Sequence, residues 1–190
     1  MGEFFITSDL HLNHCQSFLW EPRGFTSVEE MNEAIIERWN KVVKPEDTIY
    51  NLGDLAMNNI ETAIPYIKRL NGFQWWIRGN HCTLNKVKRI CEECKNISLI
   101  SNPEASWATM FKYGKIICYL SHYPTLTANF DSGKHFSQHV INFHGHTHSK
   151  EKWEFDTPFT YNVGMDAHNC YPIPIDLAIE DIRNKFIMEK

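Results

Sequence analysis

The chain has 190 residues with 43% hydrophobic residues, which is enough to bury a core without disulfide bonds or a structural metal, so one domain over residues 1–190 is expected. A charged fraction of 22% and a net charge of -4 exclude a disordered chain and argue against the broad basic footprint that duplex nucleic acid requires. The sequence has neither an apolar run long enough to span a membrane nor the start of a signal peptide, so a cytoplasmic protein is expected.

The first third of the chain reads as a strand, a helix and a second strand. The apolar run EFFITS predicts a strand that ends at Asp9. Ser27 and Glu30 form a capping box, which predicts a helix that runs to about Val43. The run TIYNL then predicts a second strand that ends just before Asp54.

The pattern continues through the rest of the chain. A helix is predicted over residues 60–70, followed by the strand FQWWIR, in which Trp75 and Trp76 are expected in the core. The runs KIICYLS and VINF predict two more strands, which lead into His122 and into the stretch FHGHTHS. Alternating strands and helices of this kind predict an α/β layered fold with parallel strands.

Polar residues follow five of these predicted strands. In open α/β sheets, ligands bind outside the carboxyl ends of the strands, so these residues are expected to share one site. Their oxygen and imidazole nitrogen ligands suit manganese, iron, zinc or nickel. Seven ligands exceed the need of one ion, whereas two ions that share a carboxylate would use Asp9, His11, Asp54, Asn80, His122, His146 and His148.

The ordered motifs DLH, GD, GNH, SH and GHTH resemble those of the calcineurin-like metallophosphoesterase superfamily. The resemblance runs from about Phe5 to Asp166, and the local sequence is similar to the small single-domain phosphoesterases of bacteria and their phages. It implies a layered β-sandwich with flanking helices and a dinuclear metal site at the C-terminal ends of the strands. It also implies hydrolysis of a phosphate ester by a metal-bound hydroxide, without a covalent enzyme intermediate.

The resemblance also implies a role for each matching residue. One divalent ion, with manganese favoured, would be held by Asp9, His11 and His148. The other ion would be held by Asn80, His122 and His146. Asp54 would bridge the two ions, and His81 would protonate the leaving oxygen or stabilise the charge that builds on it.

The sequence departs from the family pattern beside His81. Many members carry acidic residues at the positions of Met57 and Cys82, one of which orients the histidine. The group that orients His81 is therefore left open. Cys82 is expected to be a packed small residue and not a metal ligand.

Three further residues are candidates for contact with the substrate. Arg78 either reaches a substrate phosphate or braces its own loop. His14 and Arg23 either line the substrate pocket or serve the structure alone. His144 is expected to support the ligands from behind or to pack in the core, and Asp166 to serve a turn or the rim of the site and not catalysis.

The function expected from these observations is hydrolysis of a phosphate ester. Because the chain has no obvious cap domain, an open cleft that admits a nucleotide or a nucleic-acid end is favoured, and with it a phosphodiesterase. A phosphomonoesterase of the same fold and a non-catalytic metal-binding scaffold are the alternatives. Specificity is expected to lie in loops such as 15–26 and 125–133, and the sequence does not indicate an oligomeric state.

Overall fold

The computed structural model describes residues 2–102, 104, 106–126 and 134–188, so most of the predicted loop 125–133 lies outside the described residues. Within the described part, the strands form two sheets of five and four strands. The strands are β1 (Phe4–Thr7), β2 (Thr48–Asn51), β3 (Phe73–Trp76), β4 (Ile97–Leu99), β5 (Ala108–Tyr113), β6 (Ile116–Ser121), β7 (Val140–His144), β8 (Thr160–Asn162) and β9 (Ile173–Pro174). The helices are α1 (Ser17–Trp20), α2 (Val28–Val42), α3 (Ile60–Ile67), α4 (Leu84–Glu93) and α5 (Ile175–Met188).

The first sheet has the strand order β4-β3-β2-β1-β9. Its first four strands are parallel, and β9 pairs antiparallel with β1. Parallel neighbours need crossover connections, which α2, α3 and α4 provide. The side chain of Ser27 caps α2 by accepting a hydrogen bond from the amide of Glu30, so the predicted start of that helix is confirmed.

The second sheet has the strand order β5-β6-β7-β8. Strands β6, β7 and β8 are parallel, and β5 pairs antiparallel with β6 at the edge. The parallel strands again place their carboxyl ends at one edge.

Two hydrophobic cores separate the layers. Successive side chains of β1 point to opposite faces, so Phe5 packs in the core beneath the helices while Ile6 packs in the other core. That second core is shared with Leu120 and Phe143 of the second sheet and with Ile179 of α5. The predicted layered β-sandwich with flanking helices is confirmed.

The two tryptophans of β3 differ in burial. Trp76 is buried, as predicted, but Trp75 is 36% exposed, so the prediction that both lie in the core is wrong for Trp75. Trp75 points to the opposite face of β3 and lines an open cavity together with Tyr50 and Phe111. The second sheet does not fill the space beside it.

The two sheets meet at the carboxyl ends of β1 and β8. The amide of Ser8 donates to the carbonyl of Val163, and the amide of Met165 donates to the carbonyl of Ser8. This parallel bridge between Ser8 and Gly164 holds the end of one sheet against the end of the other. Loops from both sheets therefore open onto one shared edge.

Candidate metal centre

The seven residues expected to bind metal lie together at this shared edge. Each follows a strand directly or within a few residues: β1, β2 and β3 of the first sheet, and β6 and β7 of the second. The residues are Asp9 and His11, Asp54, Asn80, His122, and His146 and His148. The site is thus assembled from both sheets of the sandwich.

The first group consists of Asp9, His11 and His148. One ligand atom from each residue lies within 4.8 Å of the others. The Nε2 atom of His11 is 3.7 Å from Oδ1 of Asp9, and both side chains are buried. This spacing suits three ligands around one ion.

The second group gathers around the side-chain oxygen of Asn80. Oδ1 of Asn80 lies 2.7 Å from Nε2 of His122 and 3.0 Å from Nδ1 of His146. Nε2 of His122 is also 3.4 Å from Oδ2 of Asp54. Two imidazole nitrogens, an amide oxygen and a carboxylate oxygen therefore converge.

Asp54 lies between the two groups. Its Oδ2 atom is 3.8 Å from Nε2 of His11 in the first group and 3.4 Å from Nε2 of His122 in the second. Of the residues that the structure describes, Asp9, Asp54 and His122 form a further set with metal-ligand spacing. One carboxylate is thus placed where it can serve two ions.

Buried polar atoms in the site fit bound cations. Oδ1 of Asp9 and both ring nitrogens of His11 are buried and have no hydrogen-bond partner among the described residues. A buried polar atom without a partner costs free energy, and a cation bound by these atoms removes that cost. The donor set of carboxylate, amide and imidazole suits divalent transition metals.

The pKa values of Asp9 and His11 suit metal binding, whereas those of His122 and His148 are raised because neighbouring carboxylates outweigh burial, so a cation competes with protons at these two rings. Burial would raise the pKa of Asp9, but the neighbouring rings of His11 and His122 hold that pKa well below its usual range. Burial lowers the pKa of His11 and outweighs the raising effect of Asp9 and Asp54. An ionised carboxylate beside a neutral imidazole is the form that binds a cation.

Five of the ligands have an unusual backbone conformation. Their φ angles are positive, which non-glycine residues rarely adopt. The values are 59° for Asp9, 51° for His11, 48° for Asp54, 72° for His146 and 54° for His148. Strained backbone of this kind clusters at functional sites, where it aims side chains that regular structure would direct elsewhere.

Two glycines allow ligand side chains to lie close to the backbone of the site. A Cβ atom on Gly145 would collide with Oδ2 of Asp9 and with the side chain of Ser8. A Cβ atom on Gly79 would collide with the carboxylate of Asp54. The glycines of the GNH and GHTH motifs are therefore required by close approach of the backbone to ligands on neighbouring strands.

His81 lies at the mouth of the site. It is exposed, its ring centroid is 5.8 Å from that of His11, and its backbone amide donates to Oδ1 of Asp54. No hydrogen bond to the described residues orients its imidazole. The neighbouring Cys82 is buried, as predicted, and burial followed by the charge of Asp54 raises the pKa of its thiol to about 12.

Arg23 does not line the substrate pocket. Its side chain is only 1% exposed, and it pairs with Asp166. Its guanidinium also donates to the carbonyls of Asp9 and Leu10. These contacts agree with the alternative in which Arg23 serves the structure, because every face of its guanidinium is turned inward.

Arg78 and His14 are also held by their own loops. Arg78 donates twice to the carbonyl of Cys82 and stacks over the ring of Trp107, which agrees with the loop-bracing alternative. His14 is buried, with its ring centroid 5.5 Å from that of His11. Burial and the charge of His11 lower the pKa of His14 to about 4, so its ring is neutral at pH 7.

Two residues with a place in the site were not expected there. Asp166 was expected to serve the rim or a turn, yet its carboxylate accepts hydrogen bonds from both His148 and Arg23. The ring of Tyr123, directly after His122, lies 4.5 Å from that of His146. The strand-end pattern NVGMD and the aromatic residue beside a ligand were the available signals. His144 is buried, as expected.

Several known proteins are similar to this chain in sequence or in fold. The chain is 30% identical over 185 residues to an uncharacterized protein of Methanocaldococcus jannaschii, covering 95% of this chain and 91% of that one. It is 27% identical over 165 residues to the gene 66 protein of Mycobacterium phage L5, covering 78% and 79% of the two chains. The fold is similar to that of a protein of unknown function from Aquifex aeolicus, with a TM-score of 0.66, 20% identity and coverage of 95% and 99%.

Two further findings concern membrane-spanning helices and family membership. No helix among the described residues is both long enough and apolar enough to cross a membrane. A family model described as calcineurin-like phosphoesterase matches residues 3–185. The chain therefore belongs to the calcineurin-like phosphoesterase family.

Proposed function

We propose that this protein is a phosphodiesterase that uses two divalent cations, with manganese favoured, and acts on a nucleotide or on the end of a nucleic acid. Membership of the family supports metal-dependent hydrolysis of phosphate esters. The observation that carries the proposal is the position of Asp54, whose Oδ2 atom lies within 3.8 Å of His11 and 3.4 Å of His122. One carboxylate between two ligand groups is the arrangement that a two-cation site requires.

The chemistry divides between the cations and the chain. Cations bound here would activate water and neutralise charge on the phosphate oxygens. Asp54 and the strained loops of Asp9 and His148 fix the ligand atoms in advance, so little reorganisation is needed when substrate binds.

His81 is the proposed proton donor to the leaving oxygen. Its imidazole is exposed at the mouth of the site, and its backbone is fixed to Asp54. A histidine in this position can reach a phosphate ester that lies over the ligands. Because the family resemblance implies acids at the positions of Met57 and Cys82, and this chain has none there, the substrate itself is expected to help orient the ring.

Two exposed aromatic rings support a nucleoside as part of the substrate. Tyr123 is 44% exposed and lies beside His146 in the second ligand group. Phe18 is 70% exposed and contacts His14, which in turn contacts His11 in the first group. Nucleobases stack on aromatic side chains of this kind, and such stacking tolerates different bases.

The net charge of -4 is consistent with a small or single-stranded substrate. Duplex recognition draws most of its affinity from many basic contacts to phosphates. A nucleotide, or one strand end, needs only the local charge of the bound cations. We therefore do not propose binding to duplex nucleic acid.

Hydrolysis of two chromogenic esters tests the proposal. Chelator-stripped protein is supplied with manganese, nickel or zinc and given bis(p-nitrophenyl) phosphate or p-nitrophenyl phosphate. Metal-dependent turnover with a preference for the diester is expected. A preference for the monoester would identify a phosphomonoesterase, and cation binding without turnover of either ester would favour a non-catalytic scaffold.

A further inference from the structure

Arg23 uses its whole guanidinium inside the protein. Nε and Nη2 donate to the two carboxylate oxygens of Asp166 at 3.0 and 2.8 Å. Nη2 also donates to the carbonyl of Asp9 at 2.8 Å, and Nη1 donates to the carbonyl of Leu10 at 3.1 Å. The last N–H faces the sulfur of Met31 at 3.7 Å. An arginine has five N–H donors, so none is left for a substrate.

The contact with Asp166 extends to a ligand of the first group. Oδ2 of Asp166 lies 3.0 Å from Nδ1 of His148. A carboxylate in this position accepts the proton of Nδ1, so the other ring nitrogen keeps its lone pair for a cation. Arg23 therefore holds the group that selects the tautomer of His148.

The hydrogen bonds that Arg23 donates to the backbone carbonyls of Asp9 and Leu10 hold the other two ligands of that group. Asp9 and His11 have φ angles of 59° and 51°, and Leu10 lies between them. A positive φ angle in a residue other than glycine costs about 1–3 kcal/mol of free energy and persists only where the surroundings fix that conformation. Two charge-assisted hydrogen bonds from one buried arginine provide such fixation.

Apart from the hydrogen bond that the amide of His146 donates to Oδ2 of Asp9 at 2.8 Å, the second ligand group has different supports. Nδ1 of His122 lies 2.9 Å from the carbonyl of Leu52, and Asn80 contacts both histidines of the group directly. In the part of the chain that the structure describes, Arg23 makes no hydrogen bond to Asn80, His122 or His146. The arginine therefore touches one half of the site and not the other.

We propose that Arg23, acting through Asp166 and through the carbonyls of Asp9 and Leu10, is a positioning residue that sets the first ligand group for its cation. The inference rests on the proposed function, since it requires that the site bind two cations. Loss of Arg23 lowers the affinity of the Asp9, His11 and His148 group for its cation and leaves the binding of the other cation unchanged. Partners behind metal ligands typically change metal affinity by about 10- to 100-fold when removed.

The test is a calorimetric titration of chelator-stripped protein with manganese chloride. The unmodified protein is expected to bind two ions. Arg23→Met is expected to weaken one binding event by about 10- to 100-fold and to change the other less than about twofold. Asp166→Asn keeps the size of the side chain and is expected to weaken the same event, so the test survives if Arg23→Met does not fold.

Arg38→Met is the matched control. Arg38 donates to the carbonyl of Asn169, three residues after Asp166, and makes no hydrogen bond to a metal ligand among the described residues. It is expected to bind both ions as the unmodified protein does. Two unchanged binding events in Arg23→Met and Asp166→Asn would overturn the inference, and so would an equal loss in both events.

Two readouts separate positioning from general destabilisation. At saturating manganese, Arg23→Met is expected to keep kcat within about threefold of the unmodified protein while the manganese concentration for half-maximal activity rises by about 10- to 100-fold. In metal-free protein at an alkaline pH, where the His148 ring is neutral, nitrogen NMR is expected to show the proton on Nδ1, and Asp166→Asn is expected to lose that preference. If the unmodified protein binds fewer than two ions, the proposed function fails as well, and the titration shows this before any variant is compared.

Discussion

The backbone amide of His81 donates a 3.0 Å hydrogen bond to Oδ1 of Asp54. This bond turns the other oxygen of Asp54 toward His11 and His122, which stand in the two ligand groups. The proposed bridging ligand and the proposed proton donor are therefore fixed to each other through the backbone. A change at Asp54 is expected to disturb both, whereas a change in the His81 side chain leaves the bond intact.

Asp54→Ala is expected to abolish turnover and to weaken the binding of both cations. The variant removes a carboxylate that lies between the two groups and leaves the neighbouring imidazoles without it. Steady-state hydrolysis of bis(p-nitrophenyl) phosphate and manganese titration measure the two effects. Normal activity in this variant would rule out a shared carboxylate as the basis of the site.

His81→Ala is expected to keep both cations and to lower turnover by about two to four orders of magnitude. The substitution removes an exposed imidazole but keeps the amide that binds Asp54. Activity and manganese titration are measured on the same preparation. His135→Ala, which removes another exposed histidine, is the control and is expected to be fully active. Loss of a cation in His81→Ala would instead make this residue a ligand.

Tyr123→Leu is expected to reduce the preference for nucleoside esters. Two diesters with the same leaving group are compared: thymidine 5′-(p-nitrophenyl phosphate) and methyl p-nitrophenyl phosphate. Stacking contributes about 1–2 kcal/mol, so kcat/KM for the thymidine ester should fall roughly 5- to 30-fold while the methyl ester changes little.

Phe18→Leu is expected to behave in the same way if both rings hold the nucleoside. Phe4 is also exposed, at 41%, but lies at the start of β1, away from the carboxyl end of the sheet. Phe4→Leu is therefore the control for removal of an exposed ring. An equal loss on both esters in Tyr123→Leu would show that the ring supports the ligands and does not contact a base.

The ion pair of Asp166 predicts a pH-dependent stability. Burial would raise the pKa of Asp166, but the hydrogen bonds from His148 and Arg23 and the charge of Arg23 outweigh it and lower that pKa to about 2. Because the pKa is lowered in the folded state, the stabilisation is complete above the usual range near pH 4 and is lost as the pH falls toward 2. It amounts to about 2 kcal/mol.

Urea unfolding of the metal-free protein between pH 2 and 6 measures this contribution. The difference in the free energy of unfolding between the unmodified protein and Asp166→Asn should shrink by about 2 kcal/mol as the pH falls. Asp156→Asn, which changes an exposed acid, is the control for the substitution itself. A difference in Asp166→Asn that does not depend on pH would contradict the lowered pKa.

Much of the fold followed from local patterns. The capping box at Ser27 correctly placed the start of α2, because a cap depends on residues three positions apart. Trp75 was misplaced, since alternation along β3 predicts which face a residue points to but not whether another layer covers that face.

The ligand set could be proposed from sequence because each ligand follows a strand, and parallel strands bring their carboxyl ends to one edge. The same logic could not place Arg23. It precedes Asp166 by 143 positions, and no local rule links an arginine in the α1–α2 loop to a carboxylate after β8.

The sequence by itself determined the five strands that lead into the ligands, helices α2 and α3, the glycines of the motifs and the chemical character of the ligands, because these depend on spacing and side-chain type. Only the tertiary structure decided that Asp54 faces both ligand groups and that Arg23 is buried against Asp166. Those relationships depend on how the two sheets meet at the bridge between Ser8 and Gly164. Contacts between residues far apart in the chain produce no periodic pattern in the sequence from which they could be predicted.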